Sequence, residues 1–381
     1  MKIFIATDIR LTECNGKYYI IEALSTIFRR YYTCFGKIVL HCRVVKVDKP
    51  ENEDDISDIL EQVIPMKNLL SMLSGKENSI MKKEMQNCSL VIGRFHSISA
   101  CIAADCARQL GKPFFAEVMG DTWDGYWNHG IAGKLIAPYL FLKTKRSVKD
   151  ADYALYVTRE FLQKRYPCNN ESLSASNVRI TNIDQKVLER RLAHIRAKDV
   201  KSITLMTSAA VDVHYKGQEY VIRAIPKLNR AGVRVKYVLV GGGDQTYLKN
   251  VAEKCGVMNQ VEFTGRMSLA DVFKLLDDAD IYLQPSLQEG LPRSVIEAMS
   301  RACPVIGAKT AGIPELIAPE CVVRRKSAQD IADTILAIWN EEKLSTLAKQ
   351  NFENAGNYLD VVLSKRRNEY FSRIKHELDW H

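Results

Sequence analysis

At 381 residues the chain is too long for one hydrophobic core of ordinary size, and it is expected to divide into two domains. Hydrophobic residues make up 46%, which excludes a disordered chain, and no apolar run reaches the roughly 18 residues of a spanning helix. The formal net charge of +9 is spread over both halves, which suits anionic ligands or a membrane surface and argues against a basic nucleic-acid-binding tail.

The opening "MKIFIATDIR" has too short an apolar run for a signal peptide and reads as a buried first strand, so the chain is expected in the cytoplasm. Short β-branched runs then alternate with helix-like stretches. "KIFIAT" and "KIVLHCRVV" read as strands, with "YYIIEALSTIFRRYY" as a helix between them. "SLVIGRF" is a further strand, and "ISACIAADCARQLG" a small-residue helix that ends at Gly111. "KPFFAEVMG" and "DYALYVT" follow as strands. The polar stretch "PCNNESLSASN" interrupts this rhythm, which restarts after the charged segment "LERRLAHIRAKDVKS". "ITLMTSAA", "VKYVLVGGG", "QVEFTG", "DIYLQPS" and "CPVIGA" are the strands of the second half. Such alternation implies parallel sheets covered by helices. The final "YLDVVLSKRRNEYFSRIKHEL" is a helix whose partner the local pattern leaves open. Ten cysteines lie scattered from Cys14 to Cys321 with no CxxC, which excludes the common zinc and thioredoxin spacings.

Chemistry concentrates in "QEGLPRSVIEAMSRACPVIG". Glu289 falls in the loop after a strand, and Glu297 more than one turn into a helix that Pro292 is suited to start. Ligands of open α/β folds bind at that end of the sheet. The N–H groups of Gly290, Leu291 and Ser294, with the helix dipole, form a site suited to phosphate. Carboxylates beside a phosphate are repelled by it, so the two acids are better placed to accept hydrogen bonds from hydroxyls. Phosphate with hydroxyls points to a nucleotide sugar; two solvated helix-end glutamates are the alternative.

The stretch "PSLQEGLPRSVIEAMSRACPVIG", Pro285 to Gly307, followed by "AGIPELI", resembles the signature of the retaining GT-B-fold glycosyltransferases, family 4 (glycosyl transferases group 1). "YKGQEYVIRAIPKL" resembles the family's Lys-Gly helix start. The likeness is close over roughly residues 200–320 and loose before them. It implies an α/β GT-B fold, two Rossmann-like parallel-sheet domains facing across a cleft. The expected acceptor-binding domain is 1–185 with a returning helix at 358–381, and the expected nucleotide-sugar domain is 186–357.

The resemblance also implies roles. Glu297 would hold the ribose hydroxyls, Glu289 would face the donor sugar and the reacting centre, and Lys216 would bind the diphosphate. Gly242 and Gly243, in the glycine run from Gly241, allow close backbone approach to a ligand, and Arg266 after Gly265 matches the position that lines the base. Taken alone, each of these also reads as an ordinary surface lysine or turn. No metal and no other cofactor is implied, because cationic side chains and helix ends do that work in this fold. The DxD within "DDAD", Asp277 to Asp280, lies at a helix-to-strand turn and is rejected as a metal motif.

Three departures from the family pattern stand out. Ala210 and Val211 occupy the place of an expected Arg, which leaves Arg266 or Arg293 to supply the second cation. Met119 stands near the place of an expected His. Asp121 is then the candidate catalytic group on the acceptor side, with a helix-capping aspartate as the alternative, and His96 is a second candidate. The glycine-rich loop after the first strand is reduced to "ECNGKYY", where Gly16 is the best match. "IFRRYY" and "YLFLKTKRSVK" interleave aromatic and basic residues, which suits either anionic lipid or an amphipathic helix packed on its own sheet.

The expected reaction is sugar transfer from a nucleotide sugar to a hydroxyl of a glycan or lipid-linked acceptor. It retains the anomeric configuration and serves envelope polysaccharide biosynthesis, with peripheral membrane contact through the N-terminal domain and no nucleic-acid partner. A catalytically silent nucleotide-sugar-binding subunit and a GT-B-fold epimerase are the alternatives. A nicotinamide dehydrogenase is disfavoured, because no GxGxxG follows the first strand.

Overall fold

The computed structural model describes residues 1–51, 53–66 and 75–379. They divide into two α/β units, Met1–Asn177 with Ser364–His381, and Val178–Leu363. Residues 178–185, expected in the first domain, are drawn into the second unit, where Ile180 bridges Leu359 and accepts a hydrogen bond from the Asp360 N–H.

The first unit is built on strands β1 (Lys2–Cys14), β2 (Lys17–Ile21), β3 (Lys37–Lys46), β4 (Glu53–Asp55), β5 (Leu60–Pro65), β6 (Leu90–Phe95), β7 (Phe114–Val118), β8 (Tyr153–Tyr156) and β9 (Glu171–Ser174). The parallel part runs in the order β5-β3-β1-β6-β7-β8-β9. The chain builds outward from β1 on one side, then returns to build β6 to β9 on the other, so the order reverses between β1 and β6. Beyond Ala6 the long β1 shifts register and runs on into an antiparallel hairpin with β2, to which β4 adds.

That hairpin corrects two expectations. "YYII" is strand, and the helix starts only at Glu22 and runs to Phe35. The deciding signal is Asn15-Gly16. Both residues take positive φ, 50° and 76°, as the tight two-residue hairpin turn requires. Gly16 therefore tips a hairpin rather than a strand-to-helix loop. A third correction is β9, which lies inside the polar "PCNNESLSASN" and pairs in parallel with β8. As an edge strand with exposed and half-buried side chains, it has no apolar pattern to reveal it.

The C-terminal helix, Asp360–Asp379, finds its partner in the first unit. Phe371 stacks on Tyr31 at 5.5 Å between ring centroids and meets Phe115 edge-on at 5.9 Å. The Tyr370 hydroxyl bonds both the N–H and the carbonyl of Ala154 on β8. Beneath lies a buried pair, Arg94 of β6 and Glu117 of β7, adjacent in the sheet register.

The second unit carries one parallel sheet. Its strands are β10 (Ser202–Ser208), β11 (Arg234–Val240), β12 (Val261–Gly265), β13 (Ile281–Gln284), β14 (Val305–Ala308) and β15 (Val322–Val323), in the order β12-β11-β10-β13-β14-β15. This is the doubly wound Rossmann arrangement, with its reversal between β10 and β13. Both strands are almost wholly apolar where they pair, because helices cover both faces. The loops that leave β10 and β13 therefore diverge around a crevice, the usual ligand position in this architecture.

Candidate active site

The loop after β10 runs from Ala209 to a short turn at His214–Lys216. Gly217 follows with φ 74°, and a Cβ there would lie 2.3 Å from the Pro285 carbonyl oxygen. Glycine is therefore needed for the two diverging loops to touch. The contact is reinforced where the Leu287 N–H donates to the Tyr215 carbonyl at 2.7 Å. A third loop closes on them: the Gly312 N–H bonds the Gly290 carbonyl, and the Thr310 hydroxyl bonds the Ser286 carbonyl.

These backbone contacts bring Lys216 and Glu289 together, Nζ to Oε1 at 2.7 Å. The same carboxylate oxygen accepts from Gln284 Nε2 at 2.9 Å. Gln284 Oε1 in turn accepts from the Tyr282 hydroxyl at 2.9 Å and the Ser294 hydroxyl at 3.1 Å, and its Nε2 also reaches the Ser286 hydroxyl at 2.8 Å. Gln284 is buried at the last position of β13, so it fixes the Glu289 side chain from the rigid sheet. Sequence reasoning misses it, because a glutamine at a strand end carries no motif. The available signal is a polar residue inside an otherwise apolar run.

The helix after this loop is Arg293–Ser300. Pro292 sits one place earlier than expected, as the extended residue that precedes the helix, and no side chain caps the helix start. Glu297 is half-buried on this helix, and its carboxylate accepts no hydrogen bond from a described residue. Burial pushes its pKa up, and the charge of Arg293 opposes that only in part.

Across the switch point, Gly241 and Gly243 follow β11 with φ 157° and 121°. A Cβ on Gly241 would lie 2.0 Å from the Ala209 carbonyl oxygen, and one on Gly243 would meet the Asp212 side chain. Gly242 lies beside Arg266, whose Nε is 3.8 Å from the position of a Cβ. Ala210 is exposed, its carbonyl bonded by Gln218 Nε2. Arg266 and Arg293 are both exposed and form no ion pair among the described residues, so their charges are available.

The first unit corrects the Asp121 expectation. Asp121 is 2% exposed and caps the Thr122–Trp127 helix by accepting from the Trp123 N–H at 3.1 Å. It also pairs with Arg165 Nε at 2.8 Å and accepts from the Tyr166 hydroxyl. A carboxylate so engaged is a structural cap. His96, half-buried after β6, packs edge-on against Tyr126 at 6.3 Å, and its buried Nδ1 has no hydrogen-bond partner among the described residues. Burial pushes the His96 pKa down, toward the neutral ring. Gly16 stays at its exposed hairpin tip. Of the acceptor-side candidates, His96 alone keeps an uncommitted polar atom.

Residues 194–355 match the family profile of the glycosyl transferases group 1. The matched residues lie within the second unit. Over most of its length the chain is similar to protein CapJ of Staphylococcus aureus, 28% identical over 345 residues, 88% of this chain and 85% of that one. It is 27% identical over 185 residues, 46% of each chain, to the N,N'-diacetylbacillosaminyl-diphospho-undecaprenol alpha-1,3-N-acetylgalactosaminyltransferase of Campylobacter jejuni. The structure of Anabaena Alr3699/HepE in complex with UDP aligns at a TM-score of 0.64, covering 98% of this chain and 100% of that one at 17% identity. Sucrose-phosphate synthase from Thermosynechococcus elongatus aligns at 0.66, covering 98% and 99% at 15% identity. The fold is GT-B, and the matches together support a GT-B glycosyltransferase.

Within the matched region two of the three "DDAD" acids are engaged elsewhere, and Asp278 is exposed. Asp277 forms a two-point ion pair with Arg301, and Asp280 holds the Thr204 N–H at 2.7 Å and His194 Nε2 at 3.0 Å. Both tie the Leu269–Asp278 helix and the start of β13 to their neighbours.

Proposed function

We propose that the protein transfers a sugar from a nucleotide sugar to a hydroxyl of a glycan or lipid-linked acceptor, with retention at the anomeric carbon, in envelope polysaccharide biosynthesis. The observation that carries this reading is the Lys216–Glu289–Gln284 network at the β10/β13 switch point, followed on the next helix by the Glu297 carboxylate, unpartnered among the described residues. A cation, a fixed acid and a free hydroxyl acceptor are what a diphosphate, a sugar and a ribose require. HepE binds UDP, and the Campylobacter relative is named for a diphospho-undecaprenol substrate, which supports both ends of the transfer.

In this reading Lys216 neutralises the diphosphate as the anomeric C–O bond breaks, helped by Arg266, Arg293 and the N-terminus of the Arg293–Ser300 helix. Glu289, held by Gln284, orients the sugar hydroxyls. The acceptor oxygen bonds the anomeric carbon from the face the diphosphate leaves, and its proton passes to a departing diphosphate oxygen. The donor charge is met by these cations without a metal. The protein works at the inner face of the membrane and touches it peripherally.

Binding of a panel of nucleoside diphosphate sugars, with slow donor hydrolysis as a second readout, tests the proposal. Wild type is expected to bind one class of donor and hydrolyse it. Lys216→Ala is expected to weaken diphosphate binding by roughly 10-fold or more, from a charged hydrogen bond worth about 1.5–3 kcal/mol, and to leave the nucleoside nearly unaffected. Equal losses for nucleoside and nucleoside diphosphate would remove Lys216 from this role. A protein that binds no nucleotide sugar overturns the reading.

A further inference from the structure

The Gly130–Lys149 helix of the first unit shows two unlike faces. The inner one is small and buried, with Gly133, Ala137, Leu140 and Thr144 against the body of the unit. Gly133 is required there, since a Cβ would lie 2.2 Å from the Tyr126 carbonyl oxygen. The outer face is apolar and open. Ile131 is 80% exposed, Leu135 79%, Leu142 64% and Tyr139 53%. At about 100° per residue these positions share roughly a third of the helix circumference. Lys145, Arg146 and Lys149 continue the same stripe through the last turns. None of the three forms an ion pair among the described residues. The helix contains no acidic residue from end to end.

An exposed apolar stripe of this length marks an interaction surface, and its charge says with what. A second copy of the chain would bring the same acid-free face, so basic end would meet apolar or basic end in either orientation. A surface of fixed negative charge over an apolar interior satisfies both halves of the stripe. Among the described residues no helix is long and apolar enough to cross a membrane, so this one lies along the interface. We propose that the outer face of the Gly130–Lys149 helix docks the protein on an anionic lipid bilayer. Ile131, Leu135 and Leu142 enter the headgroup–acyl boundary, and Lys145, Arg146 and Lys149 meet lipid phosphates. Trp127, 40% exposed at the end of the preceding Thr122–Trp127 helix, sits where an interfacial aromatic is favoured. The inference rests on the proposed peripheral membrane contact, and it is independent of the sugar chemistry.

Co-sedimentation of the full chain with vesicles tests it. Phosphatidylglycerol–phosphatidylcholine vesicles are compared with pure phosphatidylcholine, at low and high salt. Wild type is expected to bind the anionic vesicles and to be released by salt. The triple variant Lys145→Gln, Arg146→Gln, Lys149→Gln is expected to lose about a hundredfold in affinity for the anionic vesicles, the loss that follows from removing three basic residues at an anionic surface, together with most of the salt dependence. Ile131→Ser with Leu135→Ser and Leu142→Ser is expected to lose at least about tenfold at any salt. All six side chains point outward, so melting temperature and nucleotide-sugar binding of both variants should match wild type. Those readouts separate failure of docking from failure of the transferase reading. Wild type that stays in the supernatant with anionic vesicles at low salt overturns the inference. So does a concentration-dependent dimer that Leu135→Ser abolishes while vesicle binding is unchanged, because that assigns the face to a second copy.

Discussion

Glu297 and Asp121 show how far a residue type can mislead or inform before its neighbours are known. Glu297 is half-buried without a hydrogen-bonded partner among the described residues, a costly position for a carboxylate unless a ligand supplies donors. Glu297→Ala is expected to weaken nucleotide binding roughly 10–150-fold, from a charge-assisted hydrogen bond worth about 1.5–3 kcal/mol, as titration calorimetry can measure. The pH profile follows from the raised pKa. The carboxylate accepts from ribose only when deprotonated, so binding is full above that pKa and falls as pH drops through it. Glu297→Gln should flatten this limb. Asp121 is the reverse case, since its carboxylate is spent on a helix cap, an arginine and a tyrosine. Asp121→Asn keeps the cap and loses the ion pair. The cost is expected at about 1–3 kcal/mol, below that of a fully buried pair because Arg165 is partly exposed. Thermal unfolding should show the loss, while donor affinity stays at the wild-type value. A drop in turnover with unchanged melting would return Asp121 to the site.

At the scale of elements, the C-terminal helix is the least self-explanatory. Its sequence is strongly charged, and its apolar residues do not form a wide stripe. What it buries is a narrow line of Leu363, Arg367, Tyr370, Phe371 and Ile374, in which the two aromatics are the largest apolar groups. Phe371 packs among Tyr31, Phe35 and Phe115, three rings that come from a helix and a strand far away in sequence. Phe371→Ala is expected to cost about 3–5 kcal/mol, the usual range for emptying a buried aromatic site. Denaturant unfolding followed by fluorescence checks it, and a change under about 1 kcal/mol would mean that the helix is not part of the first unit's core. Element boundaries are harder to read from this chain than element types. Gly111 does end its helix in the left-handed conformation, as expected. By contrast, β2 is hidden because "YYII" abuts a real helix and reads as its first turn. The Asn15-Gly16 turn decides the matter, yet on local pattern it also fits a ligand loop.

At the scale of the whole molecule, charge is the quantity to test. If Lys216, Arg266, Arg293 and a helix N-terminus meet the diphosphate, transfer should proceed at undiminished rate in excess chelator. Activity lost with chelator and restored by manganese would place a metal in the reaction. The two-unit α/β architecture is legible from the chain because strand and helix periodicities are local and alternate regularly. The glutamate pair is legible because a ligand site at a strand–helix junction occupies consecutive residues. Three things are decided only by tertiary structure. Lys216 meets Glu289 because Gly217 lets one loop press against the Pro285 carbonyl, 68 residues further on along the chain. Gln284 becomes the support of that acid because parallel pairing turns its side chain inward. Asp121, a local cap on the Trp123 N–H, is fully committed because Arg165 and Tyr166 arrive from a distant segment. A sequence records which groups are present and their local rhythm. Which of them are already satisfied by a neighbour, and so unavailable to a ligand, depends on contacts between segments that local pattern does not encode.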